Sequence, residues 1–185
     1  MTMPRSYSGV ARPRRARVPE EGVLELGWEM FGELCRALAV KVARADYRPD
    51  LVVGIANAGV IPGAVVASML RCDFFSMKIS RREGLERVRE RPKILSAAPR
   101  QAVGRRVLIV DEICTTGETL RMALAAVRNV NPADVRTATS FIRFGGFQPD
   151  YYALQTDDTI VFPWDRQVVT AEGDLHDNPG YAGLI

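Results

Sequence analysis

Hydrophobic positions along the chain follow two alternating rhythms. From Trp28 to Ala45 the apolar residues fall at Phe31, Leu34, Cys35, Leu38 and Val42, a spacing that lines one face of a helix. Arg48-Pro49-Asp50 breaks that pattern, and Leu51–Ile55 follows as a short continuous apolar run. Such a run suits a strand buried on both faces of a parallel sheet. It ends in Ala56-Asn57-Ala58-Gly59, after which Ile61–Leu70 reads as a helix with Pro62 in its first turn, where proline is tolerated. Asp73–Ile79 and Val107–Val110 predict further strands. Leu120, Ala123, Leu124 and Val127 put a helical stripe after the second of these. Val135–Ile142 and two late, short runs, Tyr151–Leu154 and Thr159–Phe162, complete the set. Strands alternating with helices predict βαβ units and an α/β fold built on a mostly parallel sheet. A chain of 185 residues without internal repeats suits a single domain with its own core.

The strongest chemical signal lies where Val107–Val110 runs into Asp111 and Glu112. Ligands of open α/β sheets bind beyond the carboxyl ends of the strands. Two adjacent ionised carboxylates are poor core residues, because each must be solvated or paired. They are good acceptors for a vicinal diol such as the two hydroxyls of a ribose. The next segment, Cys114–Thr119, offers small residues, hydroxyls and a glycine before a helix begins. A turn feeding a helix N-terminus presents free N–H groups and the positive end of the helix dipole, which suits a phosphate. A diol reader thus sits one turn from a phosphate reader. The Gly-x-x-x-x-Gly-Lys-Ser/Thr pattern of ATP-type phosphate loops is not present.

Charge narrows the partners. The net charge is +3, and residues 1–23 alone carry five arginines against Glu20 and Glu21, so the remainder is neutral overall. A nucleic-acid-binding domain would carry its basic footprint on the fold itself. Residues 1–23, rich in Arg and Pro, are expected to form a disordered extension, leaving 24–185 as the domain. No apolar run suits a membrane span or a secretory signal. Cys35, Cys72 and Cys114 lack metal-ligand spacing; Cys35 and Cys72 are expected to be buried thiols, and a reducing cytoplasm fits. His176, the only histidine, is expected to be exposed and has no assigned role. From Arg81 to Lys93 six basic residues alternate with three glutamates. Their bland reading is a solvated helix or hairpin; a connection this long is also often a lid.

Residues 107–119 read Val-Leu-Ile-Val-Asp-Glu-Ile-Cys-Thr-Thr-Gly-Glu-Thr. Four hydrophobic residues, two acidic, two hydrophobic and Thr-Thr-Gly-x-Thr resemble the motif with which type I phosphoribosyltransferases bind 5-phosphoribosyl 1-pyrophosphate (PRPP). Trp28-Glu29, Arg48–Ile55, this motif and Phe162-Pro163-Trp164-Asp165 occur in an order similar to the purine branch of that family, near xanthine and hypoxanthine-guanine enzymes. The resemblance implies a twisted parallel sheet flanked by helices. It also implies a small hood from residues 150–170 and the N-terminal part.

By the same resemblance, Asp111 and Glu112 hold the ribose hydroxyls, and Cys114, Thr115, Thr116, Gly117, Glu118 and Thr119 cradle the 5-phosphate. Ala56, Asn57, Ala58 and Gly59 form the pyrophosphate loop. Lys78 or the Arg81-Arg82 pair brings the charge that loop lacks, and residues 80–103 form a mobile loop that closes over the reaction. Thr159, Ile160, Trp164 and Asp165 surround the acceptor base, with Asp165 also on the side of a Mg²⁺ held mainly through substrate oxygens. The implied activity is Mg²⁺-dependent transfer of the phosphoribosyl group to a purine or purine-like base, in purine salvage, by a homodimer or homotetramer. Two positions depart from the 6-oxopurine pattern. Thr115 stands where an aspartate usually serves as general base, and Thr159 where an aromatic residue usually stacks on the purine. Transfer to another heterocycle, and a non-catalytic PRPP-binding regulator, are the alternatives.

Overall fold

The computed structural model describes residues 22–83 and 87–184. The expected extension over residues 1–23 lies outside them up to residue 21, as do Gly84, Leu85 and Glu86 of the charged stretch. The main sheet has six strands: β2 (Leu51–Ala56), β3 (Asp73–Glu83), β4 (Arg87–Ile94), β5 (Arg106–Cys114), β6 (Asp134–Ile142) and β7 (Tyr151–Gln155). Their spatial order is β4-β3-β2-β5-β6-β7, parallel throughout except for β3 and β4.

Three helices cover the sheet: α1 (Trp28–Arg44), α2 (Val60–Leu70) and α3 (Glu118–Arg128). Leu38, Ala39 and Val42 of α1 and Val66 and Ala67 of α2 pack with Val52, Leu108 and Val110 on one face. Leu120, Ala123 and Val127 of α3 pack with Val53, Val107 and Ile109 on the other. Central strands with helices on both faces have no polar side to show, which is why β2 and β5 read as unbroken apolar runs. Asp50 aligns these two strands at their start: its carboxylate accepts from the Arg106 backbone N–H at 3.0 Å, from Nε at 3.1 Å and from Nη2 at 2.8 Å.

A third cluster sits at the carboxyl end of the sheet. Leu26, Phe31, Leu34, Phe141, Ile160 and Phe162 bury one another there. It supports a small parallel pair, β1 (Val23–Glu25) with β8 (Thr159–Val161), and β9 (Gln167–Val169) and β10 (Leu175–Asp177) follow as an antiparallel hairpin. His176 is exposed on β10. No helix among the described residues is long and apolar enough to cross a membrane.

Four expectations are corrected. Residues 80–103 are not irregular throughout: β3 runs on to Glu83 and pairs antiparallel with β4, with Glu90, Arg91 and Lys93 exposed. Pro92 is tolerated because β4 is an edge strand. The hood does not begin at residue 150, because β7 pairs with β6 as the other edge of the main sheet. Val23 belongs to the fold rather than to the extension, through its pairing with Thr159. Finally, Cys72 is half-buried, whereas Cys35 and Cys114 are buried free thiols.

Candidate active site

The chain leaves β2 toward β3 and leaves β5 toward β6, on opposite sides of the sheet. A crevice therefore opens between the carboxyl ends of β2 and β5, the place where such sheets bind ligands. It holds a cavity of about 530 Å³ lined by Ala56, Asn57, Ala58, Arg81, Asp111, Glu112, Thr115, Trp164 and Asp165 among others. A smaller hollow of about 200 Å³ adjoins it, lined by Cys114, Thr115, Thr116, Gly117, Glu118 and Thr119. Arg81, Asp111, Ile113, Thr115 and Thr119 border both.

The acidic pair belongs to the last turn of pleat in β5, which extends beyond the four-residue apolar run to Cys114. Asp111 is only 6% exposed, and its Oδ1 accepts the backbone N–H of Glu112 at 3.0 Å. Burial, and then the neighbouring Glu112 carboxylate, push the Asp111 carboxyl well above the usual carboxylate range. A ligand that brings hydroxyl donors would relieve this penalty. Glu112 is half-buried at the rim of the larger cavity.

The smaller hollow lies at the N-terminus of α3. Helix α3 starts at Glu118 after Gly117, whose φ of +78° few residues other than glycine adopt, and the Glu118 N–H donates to Thr116 Oγ1 at 3.4 Å. Its first N–H groups have no partner within the helix. Phe147 presses on the turn: a Cβ added to Gly117 would lie 2.2 Å from the Phe147 Cβ. Arg121 ties down the other side, donating from Nη2 to the Thr116 carbonyl at 2.8 Å and lying 5.2 Å over the Phe147 ring. The Cys114 thiol donates to the Phe147 carbonyl at 3.6 Å. Burial and the nearby Asp111 push its pKa up to about 11, so the residue contributes backbone and bulk rather than thiolate chemistry. Arg81 and Glu118 form an ion pair at the edge of this hollow.

At the opposite end Trp164 forms the apolar wall. Its ring stacks on Phe162 with centroids 4.7 Å apart and meets Phe31 edge-on at 4.8 Å, so it is fixed by the hood core while bordering the cavity. Trp28 lies alongside at 5.9 Å. The buried Trp164 Nε1 finds no hydrogen-bond partner among the described residues.

The fold thus gathers Ala56, Asn57, Ala58, Arg81, Asp111, Glu112, Thr115, Trp164 and Asp165 around one cavity and the Cys114–Thr119 turn around its neighbour. Gly59 lies just behind this wall, against Asp111. Thr159 and Ile160 border neither hollow: the Thr159 backbone N–H donates to the Gly22 carbonyl at 2.8 Å and Ile160 is buried in the hood core. Both are spent on joining β8 to β1. Lys78 is exposed on β3 and borders neither hollow; its backbone N–H donates to Ser96 Oγ at 2.7 Å. The Arg82 side chain lies outside the described residues. Sequence reasoning missed Ile61 and Ile113 on the cavity wall and Phe147 on the turn. Only the Gly145-Gly146 pair before Phe147 marks a turn there.

A family model described as the phosphoribosyl transferase domain matches residues 27–171. Orotate phosphoribosyltransferase from Brucella anthropi is 34% identical over 117 residues, which cover 62% of this chain and 55% of that protein. The enzyme of the same name from Phenylobacterium zucineum is 34% identical over 113 residues, covering 61% and 54%. The chain therefore spans about half the length of the curated relatives it matches. Among solved structures, a purine phosphoribosyltransferase from Pyrococcus horikoshii superposes with a TM-score of 0.68 at 26% identity, over 80% of this chain and 97% of that one. A Neisseria gonorrhoeae protein crystallised with bound ppGpp shares the fold, with a TM-score of 0.68 at 22% identity over 79% and 90%.

Proposed function

The chain belongs to the phosphoribosyl transferase domain family, and on that premise we propose that it transfers the 5-phosphoribosyl group of PRPP to a ring nitrogen of a purine or purine-like base, releasing pyrophosphate. The observation that carries this reading is the adjacency of two readers. The carboxylates of Asp111 and Glu112 border a cavity that opens directly onto the Cys114–Thr119 cradle. Ribose 5-phosphate bears a diol and a phosphate and suits both at once.

In this reading Asp111 and Glu112 grip the ribose hydroxyls, and their charge favours the positive character that grows on the ribose as the bond to pyrophosphate breaks. Donors of the Ala56–Gly59 loop face the leaving group, and Arg81 borders both hollows. Trp164, Ile61 and Ile113 hold the flat acceptor and keep water from the reactive carbon. Thr115 cannot accept a proton near neutral pH, so Asp165, beside Trp164, receives the acceptor's N–H. The described residues hold no group of three or more His, Cys, Asp or Glu side chains placed to bind a metal by themselves. Mg²⁺ carried in on substrate oxygens, with Glu112 and Asp165 at hand, would neutralise pyrophosphate charge.

A pyrimidine acceptor is the second reading, favoured by the orotate enzymes among the relatives. The cavity wall argues for the first. Orotate carries a carboxylate, and among the described residues this cavity offers carboxylates at Asp111, Glu112 and Asp165 against one cationic side chain, Arg81. A neutral base with N–H donors meets no such repulsion. Pyrophosphate release with PRPP, Mg²⁺ and a panel of bases tests this. Turnover with a purine and not with orotate supports the reading, turnover with orotate alone replaces the acceptor, and PRPP binding without release from any base favours a regulator.

A further inference from the structure

The cradle suited to a phosphate holds a charge of the wrong sign. Its rim carries hydroxyls, the N-terminus of α3 and Arg81, all of which suit an anion, yet Glu118 lies on the same rim and pairs with that arginine. The two residues are 37 positions apart in sequence, so the contact is made by the fold. Arg81 stands where the β3–β4 register is irregular, between Ser80 and Arg82. Such irregularities re-aim side chains next to sites. Glu118 has its own reason to be there: a carboxylate in the first turn of a helix is stabilised by the helix dipole, which is the stabilisation that an incoming phosphate would also use.

We infer that Glu118 is an internal competitor for the phosphate. In the free protein its carboxylate holds Arg81 and occupies the positive end of α3; a bound 5-phosphate takes Arg81 from it. The inference rests on the phosphate reading of the cradle given above. The exchange is inexpensive. The paired side chains are 40% and 38% exposed, and ion pairs so open to water are weak. A guanidinium also offers a better-matched fork to phosphate than a single carboxylate contact requires. The displaced carboxylate has a second place to rest, because Glu118 also borders a neighbouring hollow lined by Arg91 and Arg121. Since Arg81 lies at the root of the β3–β4 hairpin, occupancy of the cradle and the position of that hairpin are coupled through one side chain.

Calorimetric titration of the full chain with ribose 5-phosphate tests this. Glu118→Gln is expected to bind roughly two- to fivefold more tightly than the unmodified chain at pH 8. The gain shrinks at pH 5.5, where the phosphate loses its second charge. Arg81→Ala binds more weakly, and adding Glu118→Gln to it recovers less than the substitution gains alone. Glu118→Ser, smaller and also uncharged, should behave as Glu118→Gln does. Equal or weaker binding by both Glu118 variants, with the unmodified chain binding normally, overturns the competitor and leaves the phosphate site standing. Absence of binding by every form overturns both.

Discussion

Gly59 and Asp111 meet with no space between them: a Cβ added to Gly59 would lie 2.7 Å from Asp111 Oδ1 and 2.9 Å from its Cα. The loop after β2 thereby fixes the carboxylate at the end of β5. Gly59→Ala must push the two apart. It is expected to cost about 1–3 kcal/mol of stability, as overpacking does, and to weaken PRPP binding more than the loss of stability explains. Thermal melts and PRPP titration of this variant check it; an alanine accepted with unchanged affinity would show that the contact is slack.

Asp111 is costly to the unliganded fold. Its folded-state carboxyl lies above the ordinary carboxylate range because of burial and Glu112, so the folded chain holds a proton that the unfolded chain releases. Stability through this group is therefore greatest below the unfolded value, near pH 3.9, and falls as pH rises toward the raised folded value. Asp111→Asn removes the charge. It is expected to raise the melting temperature at pH 7.5, by roughly 2–4 °C for each kcal/mol relieved, with the gain vanishing near pH 4. A gain independent of pH would rule out the burial penalty as its source.

The Asp50–Arg106 clamp behaves oppositely. Its hydrogen bonds with Arg106 lower the Asp50 carboxyl to about 2. The stability it contributes is present above the unfolded value near pH 4 and is lost as pH falls through about 2. Asp50→Asn should lower the urea midpoint at pH 7 and make little difference near pH 2. Because the pair is part exposed, the effect should also shrink in high salt.

Gly117→Ala tests the cradle directly. The position combines a φ of +78° with a Cβ placed 2.2 Å from Phe147. Backbone strain and overlap both act on the turn that presents the helix N-terminus. Phosphate-ligand affinity is expected to fall at least about tenfold, and Phe147→Ala in the same chain should restore part of it by removing the overlap. Failure of the second substitution to restore anything would assign the loss to backbone strain alone.

The central layers were legible in the sequence because both faces of β2 and β5 are covered, which leaves an apolar run, and because α1 and α3 each bury one stripe. The acidic pair and the Thr-Thr-Gly turn were legible as a short-range pattern. The hood was not. β1, β8, β9 and β10 are three residues each, too short to show a period, and β8 is tied to a segment more than 130 positions earlier. That pairing is what takes Thr159 and Ile160 out of reach of the cavity. The charged stretch after Ile79 shows no apolar alternation because β4 is a solvated edge strand, so the sequence left a hairpin, a helix and a lid loop open and the antiparallel pairing decides for the first. Arg81 meeting Glu118, and Phe147 meeting Gly117, depend on tertiary placement that no local spacing encodes.

The central claim is that Asp111 and Glu112 read the ribose of PRPP beside a phosphate cradle. Hydrogen bonds to charged groups contribute about 1.5–3 kcal/mol each, so losing two charged acceptors is a large effect. The most direct measurement is the PRPP dissociation constant, in Mg²⁺, of the unmodified chain and of the double variant Asp111→Asn, Glu112→Gln. Binding by the unmodified chain is expected, with a loss of at least about a hundredfold in the folded double variant. Equal affinity in the two proteins would contradict it.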